Sequence, residues 1–349
     1  MATLIGPGRV GKAIAGMLGA ELGAVVTRQS GAVDPHGQVG TEQSVCCVLA
    51  ACGLRFTGMH TSREAVTSPF TATHPLRRAQ HTGLAQGPIY VCTTNDALDW
   101  VLEQTPRNRR CDLVFFQNGW LAPWLAHNSL RLGPGSAAGA AAEGGAAAAA
   151  GREAEAARGD GGGAGGAEAS GPGSAVEVTL VALYMAAGPD GTAKDGLRTV
   201  ASGRWAQHVS RTLSRGAVRC RAVGGADMYG AVVEKLLWAC VFWMMSAALG
   251  GMNVGDIVAR HRGDVAALTA ELLPPLCRQL RGIAAAGAGP EAAEAAAALE
   301  APAGAERVVA ALVEYSVSIS SAVPSRDMAL AEFRWRNGAL LDMGPTPLH

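Results

Sequence analysis

The sequence predicts an α/β protein: a doubly wound parallel sheet followed by an all-helical C-terminal domain. Three features carry that reading. A short apolar strand opens the chain and runs straight into a glycine-rich turn and a helical pattern. Strand-like and helix-like segments then alternate as far as Phe116, which implies parallel strands joined by helical crossovers. From about Met228 to Leu341 the apolar spacing turns helical throughout. The expected division is a dinucleotide-binding sheet domain over residues 1–223 and a helical domain over residues 224–349.

In chain order, Ala2-Thr3-Leu4-Ile5 is the first strand. Gly6-Pro7-Gly8-Arg9-Val10-Gly11 is the turn, and Ile14, Ala15, Met17 and Leu18 recur at helical spacing after it. Ala24 to Thr27 reads as a second buried strand and completes a compact βαβ unit. Between Gly31 and Pro88 no period stands out. Pro88 to Thr93 is the next strand, Asp96 to Gln104 a helix, and Asp112 to Phe116 a strand ending in Gln117-Asn118-Gly119. Val176 to Ala186 and Gly196 to Gly203 are β-like. An alanine-rich stretch, Ala284 to Ala305, is expected to interrupt the helical half.

The segment from Pro134 to Ala175 contains 17 Ala and 13 Gly in 42 residues. Side chains so small bury too little apolar surface to offset the entropy of ordering the backbone, so an insert without a chemical role is expected there. Lys and Arg total 29 and Asp and Glu total 29, for a net charge of zero. That balance excludes the basic footprint of a general nucleic-acid or anionic-membrane binder. Eight cysteines and eight histidines show no zinc-site spacing, so no metal is expected. Leu236 to Gly255 is twenty residues without a charge, long enough to cross a bilayer, yet a core helix has the same hydropathy. The first strand begins at Ala2, leaving no room for a targeting peptide, so a soluble, cytoplasmic protein acting on a small molecule is expected.

The glycine turn has a mechanism behind it. The first glycine permits the tight turn, the second lets the backbone approach a pyrophosphate, and the third lets helix pack on strand, while the helix N-terminus supplies positive potential. Gly6, Pro7, Gly8, Arg9, Val10 and Gly11 are therefore candidate cofactor-binding residues. After the second strand, where an NAD site places an acidic residue on the ribose, stands Arg28. A cation there suits a 2′-phosphate, so NADP(H) is the expected cofactor, unless Arg28 is only a solvated surface charge.

Taken in order, Gly6-x-Gly8-x-x-Gly11, Arg28, Gln117-Asn118-Gly119, Lys235-Leu236-Leu237 opening a long apolar helix, and Glu332-x-x-x-x-Asn337-Gly338-x-Leu340-Leu341 resemble the ketopantoate reductase (2-dehydropantoate 2-reductase) family. The resemblance implies a Rossmann-type domain plus a helical domain of the 6-phosphogluconate dehydrogenase C-terminal kind, with NADPH reducing a 2-keto acid in the cleft between them. It places Asn118 against cofactor and substrate and makes Lys235 the general acid. It has Glu332 hold the substrate hydroxyl or support the lysine, and it sets Ser320 at the substrate carboxylate. Chemistry agrees for the lysine, because hydride addition leaves negative charge on oxygen that an ammonium can stabilise and protonate. Lys235 could equally be a helix-start lysine reaching solvent, and Glu332, beside Arg334 and Arg336, an ordinary surface carboxylate.

Three positions depart from the family pattern. Ala239 and Trp243 stand where the family helix carries asparagines, and Thr94 falls near a family lysine. A site stripped of these polar groups should discriminate against a hydroxylated acid and suit a bulkier or more apolar carbonyl compound. The same losses motivate a second reading, a nucleotide-binding sensor or interaction protein that has lost catalysis. A third, another β-hydroxyacid dehydrogenase, would need its own lysine motif and glycine-rich substrate loop, which the chain lacks.

Overall fold

A computed structural model describes residues 2–6, 8–26, 87–133, 175–188 and 191–349. Pro7, Thr27, Arg28, the region from Gly31 to Gln86 and nearly all of the alanine–glycine tract lie outside the described residues.

The strands of the sheet are β1 (Ala2–Ile5), β2 (Leu22–Val26), β3 (Ile89–Val91), β4 (Leu113–Phe115), β5 (Leu130–Leu132), β6 (Val176–Ala182), β9 (Thr199–Ser202) and β10 (Cys220–Ala222). They lie in the order β10-β9-β6-β4-β3-β1-β2, with β5 also pairing β6. Neighbours run parallel except for β6 and β9, which are antiparallel. The exception has a local cause. After β6 the chain makes a small hairpin of β7 (Met185–Ala187) and β8 (Ala193–Asp195), and so short an excursion returns the chain beside β6 in the opposite sense.

Side chains alternate across this sheet and are buried on both faces. Leu4, Tyr90, Val114 and Val181 point to one face, where α1 (Arg9–Leu18) and α4 (Ala206–Arg215) cover them with Ile14, Met17, Val209 and Leu213. Ile5, Ile89, Val91, Phe115 and Leu180 point to the other, beneath α2 (Leu98–Gln104), α3 (Ala122–His127) and the long α5 (Gly225–Ala248). This second layer continues without a break into the helical half, formed by α6 (Val254–Arg260), α7 (Arg262–Ile283), α8 (Glu291–Glu300) and α9 (Gly304–Ser318). Two short helices, α10 (Arg326–Ala331) and α11 (Asn337–Asp342), complete the chain's described elements. Strand β10 ends at Ala222 and α5 begins at Gly225, so the passage from sheet to helices falls at residues 223–224.

Two expectations need correction. The uncharged run Leu236 to Gly255 is not one helix, because α5 stops at Ala248 and the chain turns through Gly250 and Gly251, both at positive φ, before Asn253 caps α6. Helix α5 is itself long and apolar enough to cross a membrane, yet half of its most apolar window is buried within the fold. Nor does Ala284 to Ala305 interrupt the helices. A kink at Gly287 leads into α8, whose Ala292, Ala295, Ala296 and Leu299 are buried against α5 and α7. Those positions follow i, i+3, i+4, i+7 spacing, and alanine is the strongest helix former. Small side chains here let three helices pack closely.

Candidate active site

The site is assembled at the C-terminal ends of β1, β3 and β4, where an open parallel sheet holds its ligands. After β1, Gly6 turns the chain at φ +96° so close to the next strand that a Cβ would stand 2.8 Å from the Thr93 backbone nitrogen. Gly11 lies against the Gly6 carbonyl, and a Cβ there would overlap that oxygen. Gly8 differs from both. It is the N-cap of α1, has no neighbour within 4 Å of a Cβ, and is followed by a first turn without acidic residues or a side-chain cap. The first-turn N–H groups of α1 are thus left without a side-chain cap beside an open Gly8, an arrangement that suits a phosphate. Arg9 is exposed beside it, and Val10 packs partly into the core below.

At the ends of β3 and β4 the Gln117 amide donates to the carbonyls of Val91 (3.0 Å) and Thr93 (3.2 Å), tying the two strand ends together. Asn95 donates to the Asn118 carbonyl at 2.6 Å and fixes the following loop. Three buried oxygens nevertheless lack a partner among the described residues: Thr93 Oγ1, Gln117 Oε1 and Asn118 Oδ1. Buried polar atoms are normally paired, and such a cluster at strand ends fits a bound polar group. With the Gly8 cradle, these residues fit a nicotinamide dinucleotide.

Gly119, at φ +109°, lies under the C-terminal segment: its Cβ would stand 2.5 Å from the Trp335 carbonyl, which also accepts from Trp120 N at 2.7 Å. This clasp ties the segment that carries Glu332 and Arg336 to the loop after β4. Lys235 enters the same region from α5. Its Nζ lies 4.3 Å from the centre of the Tyr184 ring, a cation–π contact, and the lysine shares with Asn118 a narrow cavity of about 30 Å³ walled by Phe115, Leu180, Met228 and Val232. Burial, reinforced by the positive charge of Arg336 and opposed by Glu332, pushes the Lys235 ammonium down to about 7.

Glu332 and Arg336, one helical turn apart, form an ion pair. Burial raises the Glu332 carboxyl above its ordinary range, with Arg336 and Lys235 opposing and Asp96 adding to the rise. Arg336 is only 5% exposed, and its guanidinium lies 4.1 Å from the centre of the Trp243 ring.

The structure therefore brings together the glycine turn, Asn118, Lys235 and Glu332. It places Ser320 elsewhere. That residue is exposed beyond α9, its carbonyl accepts from Gly255 N at 2.9 Å, and it does not line the Lys235 cavity. Sequence reasoning missed Tyr184, Thr93 and Arg336. Only Arg336 left a signal, the i, i+4 spacing to Glu332. Among the described residues no group of three or more His, Cys, Asp or Glu side chains could hold a metal.

No family model and no curated protein matches the chain by sequence. Among solved structures the chain is similar to the PanE/ApbA family ketopantoate reductase from Ralstonia eutropha JMP134, at 16% identity and a TM-score of 0.47 over 99% of this chain and 91% of that one. It is also similar to the dimeric ketopantoate reductase of Staphylococcus aureus, at 12% identity and a TM-score of 0.45 over 98% of this chain and 90% of that one.

Proposed function

We propose that the chain is an NADPH-dependent reductase of a 2-keto acid or a related carbonyl compound, of the ketopantoate reductase type, working in the cytoplasm. The observation that carries the reading is Lys235: an ammonium in a cavity shared with Asn118, beside Glu332, and tuned close to neutrality. A general acid works best with a pKa near the working pH, because it must hold a proton yet release it readily. The Gly8 turn and the N-terminus of α1 would hold the dinucleotide pyrophosphate, Arg28, from its place in the sequence after β2, would pair with a 2′-phosphate, and Asn118 would orient the nicotinamide end. When bound, NADPH supplies the hydride. Lys235 stabilises the negative charge that develops on the substrate oxygen and transfers its proton there, leaving a neutral amine that recovers a proton from solvent. Glu332, paired with Arg336, favours the charged form of Lys235 through its negative charge. Ser320 has no role in this account without a movement of the α9 end.

Ala239 and Trp243 keep the second reading alive, a nucleotide-binding protein without turnover. One experiment separates the two. NADPH fluorescence titration of the purified protein, beside NADH, is followed by absorbance decay on adding ketopantoate and other 2-keto acids. Tight NADPH binding with turnover that Lys235→Ala abolishes supports the reductase. Binding without turnover on any acid supports the sensor, and no binding to either nucleotide defeats both.

A further inference from the structure

Beyond Lys235, the same face of α5 continues through Ala239 to Trp243, one and two turns on. There a second cavity, of about 190 Å³, is walled by Ala239, Trp243, Met244, Ala247, Leu330 and Phe333. Its charged lining is cationic alone: Arg326 at the rim and the buried Arg336, with no acidic residue among the lining groups. Of the Arg336 guanidinium, Nη2 pairs with Glu332, while Nε and Nη1 have no acceptor among the described residues, and neither has the Trp243 indole nitrogen.

Such a wall is incomplete by itself. A guanidinium never loses its charge in a protein, and burying one with a single carboxylate and two idle nitrogens, which carry three N–H donors, is costly. The Trp243 ring covers the group at 4.1 Å, a cation–π contact, and the N–H donors of a planar guanidinium take their partners in its plane. What the cavity lacks is an acceptor with two oxygens, attached to something apolar enough for the surrounding alanine, methionine, leucine and aromatic surfaces.

We propose that this cavity is the specificity pocket of the enzyme, in which Arg336 binds the carboxylate of a 2-keto acid and the apolar walls bind a large hydrophobic or aromatic side chain. The proposal rests on the reductase reading for the reaction but not for the binding. It gives the departures a purpose: alanine and tryptophan in place of polar residues reshape the pocket, and Arg336 supplies the anion contact that Ser320 does not. The carboxylate joins Glu332 on the guanidinium, and its negative charge offsets the positive field of Arg336 that disfavours the protonated form of Lys235.

The test uses the purified full chain with phenylpyruvate as substrate, phenyllactate (its reduced product) as the binding ligand in the absence of oxidised cofactor, phenylacetone as the analogue without a carboxylate, and ketopantoate as the hydroxylated acid. Phenylpyruvate should be turned over with kcat/KM at least about tenfold above ketopantoate and phenylacetone. Arg336→Met should lower kcat/KM for phenylpyruvate by about a hundredfold or more and abolish phenyllactate binding by calorimetry, with NADPH affinity unchanged. Because Arg336 is buried and its variant could misfold, Leu330→Trp gives an independent check from the exposed rim. It fills the cavity, and should weaken phenyllactate binding in the same calorimetric titration. Ketopantoate preferred over phenylpyruvate, or phenyllactate binding indifferent to both variants, overturns the pocket and leaves the reductase reading intact. Arg336-dependent phenyllactate binding in a protein that binds no NADPH does the reverse.

Discussion

The charge state of Lys235 makes a quantitative prediction about rate against pH. Burial and Arg336 lower its pKa from the ordinary 10.5 to about 7, with Glu332 pulling the other way and the Tyr184 ring beneath the ammonium. If Lys235 is the proton donor, only its charged form is competent, so kcat/KM should be level below about pH 6 and fall tenfold per unit above about pH 8. At pH 8 roughly a tenth of the lysine is still charged, whereas an ordinary surface lysine would be almost wholly charged there. Arg336→Met removes a like charge and should move the inflection upward; Glu332→Gln removes the opposing charge and should move it downward. The assay is NADPH oxidation at subsaturating substrate over about pH 6 to about pH 10, with NADPH binding followed in parallel to exclude a cofactor effect. A profile flat to pH 9, or one unmoved by either substitution, would refute the assignment of the acid.

Other expectations follow from the same structure. Because the charged form of Lys235 is penalised in the folded state, the folded protein binds fewer protons than the unfolded chain between about pH 7 and 10.5. The penalty is therefore complete below pH 7 and fades as pH rises, and Lys235→Met should stabilise the protein at pH 6 by up to about 5 kcal/mol and hardly at all near pH 10.5, as read from denaturant melts. Gly8→Ala, whose Cβ meets nothing, should leave the melting temperature unchanged but weaken NADPH in a fluorescence titration; Gly11→Ala, whose Cβ overlaps the Gly6 carbonyl, should lower the melting temperature itself. Ala296→Leu, at a fully buried contact of α8, should cost about 1–3 kcal/mol in a urea melt.

What could be read from the chain was whatever depends on neighbours in sequence. Strand β1, the glycine turn and α1 follow from an apolar run, three glycines and a 3.6-residue period, and the structure gives them the same bounds within a residue or two. The helix α8 misled because its composition copies that of the alanine–glycine tract. The distinction lay in spacing, with Glu291 and Glu294 in the first turn and alanines on one face. Lys235 and Asn118 could be named from their motifs, but the cavity they share requires α5 to lie across the ends of β4 and β6, a long-range fact. Arg336 shows the limit plainly. Beside Glu332 in sequence it reads as a solvated charge, and only the placement of Trp243, more than ninety residues away, makes it a buried cation.

The register of β5 on β6 sets a rule for the long stretch of chain between them. Leu130 pairs with Val176 and Leu132 with Val178 in the parallel sense, so the chain leaves at one end of a strand pair and must re-enter at the other. Such a return takes roughly a dozen residues or more, which forbids trimming the connection to a tight turn. Above that minimum, length is nearly free: the entropy of closing a loop grows only with the logarithm of its length, about 0.6 kcal/mol for each doubling. Replication errors that expand a run of alanine and glycine codons here would cost the fold almost nothing, so this junction can accumulate sequence that selection on stability never sees.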